Sequence, residues 1–214
     1  MRLEDELIQF ESQILFMLKK VRQMFQLAQE ALRTHDKEKA LSVIEMDDYI
    51  NHLDEDINHQ ATEMLSLLQP VAKDLRSIIA GIKISTDIER IGDYAKNVGR
   101  YVIKNQSQNS QELIDLTLNV VDHVMHQLDD MYDALENNDA DAAYRIPDGD
   151  DKIDDAFLKT LVFIEEKIHN NAQEFNYPVR LVTMLRSLER AGDHVKNICE
   201  SLIYKVKGHH IDFG

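Results

Sequence analysis

Glu89, Asp93 and Asn97 follow one another at four-residue steps, and Glu189, Asp193 and Asn197 do the same 100 residues later. Side chains four apart on a helix stack on one face. Carboxylates one turn apart can ligate one hard cation or two adjacent ones. A second set has the same spacing: Asp150 and Asp154, with Asp47 and Asn51 at the matching positions 103 residues earlier. Stacked like charges repel. Arg90, Arg190 or a bound cation would offset that repulsion.

The two ladders belong to a longer repeat. Leu188 to Asn197 copies Ile88 to Asn97, with Glu, Arg, Gly, Asp, Lys and Asn identical, as E-R-x-G-D-x-x-K-N. One pattern carried twice in a short chain indicates a duplicated domain. The kept positions are mostly polar, which packing alone does not demand. Gly92 and Gly192 sit inside helical stretches, where Gly costs about 1 kcal/mol relative to Ala. Close approach of another helix explains them better than direct ligand contact.

The elements that must position these residues are long helices. Gly (7) and Pro (3) are scarce and Trp is absent, so few breaks interrupt the helix-forming composition. Six segments are expected, three per half: about 3–33, 37–68, 70–104, 111–137, 140–174 and 178–207. Asp36 is an N-cap candidate, and Pro70 suits the start of the third segment. Pro147 and Gly149 should break or kink the fifth. The polar stretch Asn105 to Ser110 reads as a linker, and 208–214 as a flexible tail. On the third segment Ile84, Ile88, Ile91, Ala95, Val98 and Val102 form an apolar stripe, matched by Met184, Leu188, Ala191, Val195, Ile198 and Leu202. The acids fall roughly opposite, on an outward face. The fold class is all-α: two tandem, sequence-related three-helix bundles, over 1–106 and 111–207.

Composition narrows the function. The net charge is −15, which argues against nucleic-acid binding and is compatible with cations. No apolar run of about 18 residues is present to span a membrane. The start, Met1 to Glu6, lacks the pattern of a signal peptide. The lone Cys199 cannot form an internal disulfide and lies in an apolar pattern, so it reads as a core residue. A cytoplasmic protein is expected. Neither a phosphate-cradling Gly-rich loop nor a nucleophile elbow occurs, so no catalytic residue is assigned and no enzyme is expected. No basic anion pocket is evident.

The doubled E-R-x-G-D-x-x-x-N, the D-D-x-[IV]-[DN] elements at Asp47 to Asn51 and Asp150 to Asp154, and the six-helix order together resemble the PhoU family. The resemblance covers nearly the whole chain. It implies two PhoU-like bundles and a regulator of phosphate uptake that represses phosphate-starvation signalling. The implied partners are a phosphate ABC transporter ATPase and a sensor histidine kinase, and a homodimer is permitted. It also implies surface metal ions, with iron, zinc and manganese as candidates. The ligands carried over are Asp47, Glu89 and Asp93, then Asp150, Asp154, Glu189 and Asp193, with Asn51 as an uncharged oxygen donor. Arg90, Gly92, Asn97, Arg190, Gly192 and Asn197 support the motif. Because Asn51 stands where the second half has Asp154, the first site is expected to bind metal more weakly.

Three alternatives compete: regulation of another phosphate transporter, a metal-free helical adaptor, and a di-iron carboxylate oxidase. The last needs paired Glu-x-x-His elements facing the core. Only Glu166 to His169 and the imperfect Asp56 to His59 come near that pattern.

Overall fold

The computed structural model describes residues 3–105, 109–170 and 178–213. Helix α1 runs Leu3–Thr34, α2 Lys37–Leu67, α3 Ala72–Lys104 and α4 Gln111–Glu136. A short α5, Ala140–Arg145, leads through a 3-10 turn, Ile146–Gly149, into α6, Asp150–Asn170. Helix α7, Pro178–Lys207, closes the fold. Thus the expected fifth segment is three pieces, split where Pro147 and Gly149 interrupt the helical pattern. Its expected end near Glu174, Asn176-Tyr177 before the last helix and linker positions 106–108 lie outside the described residues.

Local signals set the boundaries. Asp36 accepts hydrogen bonds from the Glu38 and Lys39 amides at 3.0 Å each, capping α2. Asp139 caps α5 through the Ala142 amide at 2.9 Å. Such caps satisfy amides that have no partner inside the helix. Pro70 does not start α3. The helix begins at Ala72, with Val71 as an extended residue before it and no side-chain cap.

Burial follows the helical period. In α1 the stripe is Phe10, Ile14, Met17, Val21, Met24 and Ala28, and all six are buried. Helices α1, α2 and α3 pack together as one bundle, and α4, α6 and α7 as the other. The bundles meet along α3 against α7 and α1 against α4. Cys199 is fully buried, and burial pushes its thiol far above the ordinary range. The tail is docked rather than loose. The Phe213 amide donates to Glu200 at 2.9 Å, His210 stacks on Tyr204, and His209 meets the Tyr144 hydroxyl at 3.0 Å. Among the described residues no helix is long and apolar enough to cross a membrane.

Candidate functional site

Each half gathers its acids in a cleft between two helices. In the first half α2 supplies Asp47, Asn51 and Asp54, and α3 supplies Glu89, Asp93 and Lys96. The Lys96 ammonium stands between the helices, 2.5 Å from Asp47 and in contact with Asp93. Asp47 is buried, at 2% exposure. In the second half α6 supplies Asp150 and Asp154, and α7 supplies Glu189, Asp193 and Lys196. Lys196 lies 2.8 Å from both Asp150 and Asp193. The two lysines repeat one device: an ammonium that ties the last helix of the bundle to its neighbour through two carboxylates.

Electrostatics mark both clefts. Burial pushes the Glu89 carboxyl above its ordinary value; Arg90 opposes that, while Asp93, Asp54 and Asp47 add to it. Glu189 is raised by burial, then by Asp193 and Asp154, with Arg190 opposing and Asp150 adding. Asp154 is raised by burial and Asp150, against Lys196. Burial alone would lower both lysines, but hydrogen bonds to Asp47 and Asp93, and to Asp150 and Asp193, hold them above their ordinary value. Three buried oxygens of the first cleft, Asp47 Oδ1, Asn51 Oδ1 and Asp54 Oδ1, have no hydrogen-bond partner. Buried acceptors without a donor are costly.

The sequence located the acids but misjudged their setting. Glu89, Asp93, Glu189 and Asp193 are only partly exposed. The lysine bridges turn Asp93 and Asp193 toward the neighbouring helix rather than straight outward. Asn97 and Asn197 leave the ladders altogether. Asn97 donates to Ser187 at 3.1 Å and Asn197 to Asp87 at 3.2 Å, each reaching across to the other half. These bonds are equivalent under the repeat and show that α3 and α7 cross antiparallel. Near their centre the His194 ring meets the Tyr94 hydroxyl at 3.2 Å and Asp87 at 2.7 Å.

The two glycines differ as well. A Cβ on Gly92 would press on Ile50 at 3.3 Å and Val21 at 3.5 Å, so helix packing explains it. A Cβ on Gly192 would run into the Asp150 carboxylate. Gly192 therefore admits an acid of the cleft itself. Arg90 reaches Glu89 and Asp93 at 3.5 Å each from an exposed position. Arg190 has no ion pair of that kind among the described residues.

Three contributors were missed. Lys96 and Lys196 were visible as identities of the repeat but were given no role. Asp54 lies seven residues after Asp47, on the same helix face, and aligns with Phe157 at the offset of 103. It brings the first cleft to four carboxylates, the same as the second. The charge argument for a weaker first site therefore fails. The Glu-x-x-His alternative also loses its geometry: Glu166, His169, Asp56 and His59 are all exposed. A basic opening, unseen in the sequence, lies between α3 and α7, where Arg186 and Arg190 join Asn97, Thr183 and Ser187.

Among the described residues, no three His, Cys, Asp or Glu side chains converge as a ready-made metal cage. The ammonium groups stand among the acids instead. The donors are still hard oxygens, and three in the first cleft are unpartnered, so the residues fit a hard cation in chemistry.

Two three-helix bundles, each with an acidic cleft bridged by lysine, define a duplicated all-helical protein of the PhoU type. Residues 14–102 and 117–202 each match the PhoU domain. The chain belongs to the PhoU family. It is 27% identical to a phosphate-specific transport system accessory protein PhoU homologue of Clostridium acetobutylicum, over 98% of this chain and 96% of that protein. The fold superposes on crystalline PhoU from Pseudomonas aeruginosa with a TM-score of 0.91 and 31% identity, covering 97% of this chain and all of that one. The phosphate transport system regulatory protein PhoU from Streptococcus pneumoniae gives a TM-score of 0.90 at 25% identity, over 99% of this chain and all of that one.

Proposed function

We propose that this chain is a cytoplasmic regulator of phosphate uptake and phosphate-starvation signalling. It acts by contact with the ATPase of a phosphate ABC transporter and with a sensor histidine kinase. The observation that carries this reading is coverage: relatives named for phosphate-specific transport and its regulation match both halves nearly end to end. The test is complementation of a bacterium that lacks its own phosphate-transport accessory protein. Expression of this chain should silence a phosphate-starvation reporter at high phosphate. A reporter that stays on, with the folded protein present, would count against the proposal.

The acidic clefts are the proposed metal sites. Asp47, Asp54, Glu89 and Asp93, with Asn51, would hold a cation in the first half. Asp150, Asp154, Glu189 and Asp193 would hold one in the second. A bound ion would supply positive charge at a seam between two helices. Of iron, zinc and manganese, an oxygen-only donor set suits manganese or iron better than zinc, which favours nitrogen and sulfur. Elemental analysis of untagged protein purified without chelator tests this, beside an Asp150→Ala/Asp154→Ala/Glu189→Ala/Asp193→Ala variant. Metal in the wild type that is reduced in the folded variant supports the clefts as sites.

A second reading has its own observation. Lys96 and Lys196 already neutralise part of each cleft, so the clefts could serve as metal-free struts of a helical adaptor. A wild type that holds no metal and takes up none on resupply favours that reading.

A further inference from the structure

The seam between α3 and α7 has two corners that correspond under the repeat. In one, Asn197 reaches Asp87; in the other, Asn97 reaches Ser187. The second corner is the basic opening, where Tyr94 and Asn97 of α3 face Thr183, Arg186, Ser187 and Arg190 of α7. No carboxylate is among its described lining residues. We propose that this opening binds inorganic phosphate.

The first observation is a missing acid. At the offset of 100, Lys83, Asp87 and Arg90 correspond to Thr183, Ser187 and Arg190, and Thr86 corresponds to Arg186. Each corner therefore carries two cations, but only the first carries its own anion. There Asp87 accepts from the His194 ring at 2.7 Å and from Asn197 at 3.2 Å. Ser187, in the matching place, accepts from Asn97 alone, at 3.1 Å.

The second observation is the state of the arginines. Arg90 meets Glu89 and Asp93 at 3.5 Å each. Neither Arg186 nor Arg190 has a carboxylate partner among the described residues. The two stand one turn apart on α7, where like charges repel. In a chain of net charge −15, this pair of cations is matched by no acid of its own. An anion from solution would supply what Asp87 supplies at the other corner.

The hydroxyls select the anion. Thr183 donates to the Val179 carbonyl at 2.7 Å, and Ser187 to the Thr183 carbonyl at 3.1 Å. Their protons are spent, so what they offer a ligand is lone pairs. The guanidinium forks remain as donors, suited to a phosphate or a carboxylate. The site therefore matches a ligand with negative charge and an O–H of its own. Inorganic phosphate near neutral pH has both. Sulfate and carboxylates carry the charge without the proton, and a phosphate monoester loses its last proton at about pH 6.

The test is calorimetric titration of the full chain with inorganic phosphate at about pH 8, where a monoester is fully ionised, beside sulfate, acetate and phosphoserine. Phosphate should bind at least about tenfold more tightly than each of the others. Arg186→Thr and Ser187→Asp, which copy the first corner, should each weaken phosphate at least about tenfold. Lys83→Ala removes the same charge as Arg186→Thr from the first corner and should leave affinity unchanged. Circular dichroism checks that each variant folds. Arg186 is exposed, so its variant keeps the test open if Ser187→Asp does not fold. The proposal is overturned if phosphate does not bind at millimolar concentration, or if folded Arg186→Thr binds as well as the wild type. It is also overturned if Lys83→Ala weakens binding as much as Arg186→Thr, or if sulfate or phosphoserine binds as tightly as phosphate. Binding is read on the purified chain, so its failure would leave the complementation result standing.

Discussion

The two halves share one frame and spend their differences in separate places. Both bridge the last helix of the bundle to its neighbour through a lysine and two aspartates. The first half carries Asn51 and Asp54 where the second carries Asp154 and Phe157, so a carboxylate has moved one turn along the helix without changing the count. The helix holding the first of these acids is continuous in the first half and restarts after a 3-10 turn in the second. Asp47 is therefore a mid-helix acid, whereas Asp150 stands in a first turn, where the helix dipole favours negative charge. What is repeated is the charge bridge; what has diverged is how each half shelters it.

The lysines test that comparison most severely. Lys96 is paired with the more deeply buried aspartate, and breaking a buried pair costs about 3–5 kcal/mol. Lys96→Met should therefore destabilise the protein by about 3 kcal/mol. Lys196→Met should cost less, on the order of 1–2 kcal/mol, because Asp193 is half-exposed. Denaturant unfolding of both variants checks the order. Equal losses would mean that burial of the aspartate does not set the strength of the bridge.

The seam between the halves gives a smaller effect. Asp87 takes bonds from both His194 and Asn197, while its counterpart Ser187 takes one from Asn97. Asp87→Ala should cost about 1.5 kcal/mol and Ser187→Ala about 0.5 kcal/mol. A larger loss for the serine would show that the seam is not polarised toward Asp87.

Asp54 sharpens the equal-charge argument. If the clefts bind cations, Asp54→Asn should weaken the first site about tenfold and leave the second unchanged, as manganese titration would read. No change in either site would return Asp54 to a purely structural role.

The last expectation concerns pH. A carboxyl whose folded-state pKa is raised gives stability that is fully present below its unfolded value, about 4.3 for Glu. That stability is lost as pH rises through the folded value. Glu89 and Glu189 are both raised. Glu89→Gln and Glu189→Gln should therefore gain stability at neutral pH relative to pH 3. Melting curves at the two pH values decide it, and a loss at neutral pH in either half would reverse the sign assigned to that cleft.

Much of the fold was legible because helical periodicity and capping are local. The apolar stripe from Ile84 to Val102 and the cap at Asp36 both appear in the structure as read. Pro70 was misplaced because the chain turns at Gln69 and Ala72, which take positive φ, a choice no local signal announced. The tail was misread because its anchors, Glu200, Tyr204 and Tyr144, lie elsewhere in the chain.

The sequence by itself determined the helical class, the duplication and the acids, since period, repeat and residue type all lie along one dimension. Only the tertiary structure decided where those acids face. It set Lys96 and Lys196 between them, brought Asp54 to the cleft, and sent Asn97 and Asn197 across the seam. The physical reason is that a side chain's role depends on what packs against it, and packing partners here come from other helices, 49 to 110 residues away in these bonds.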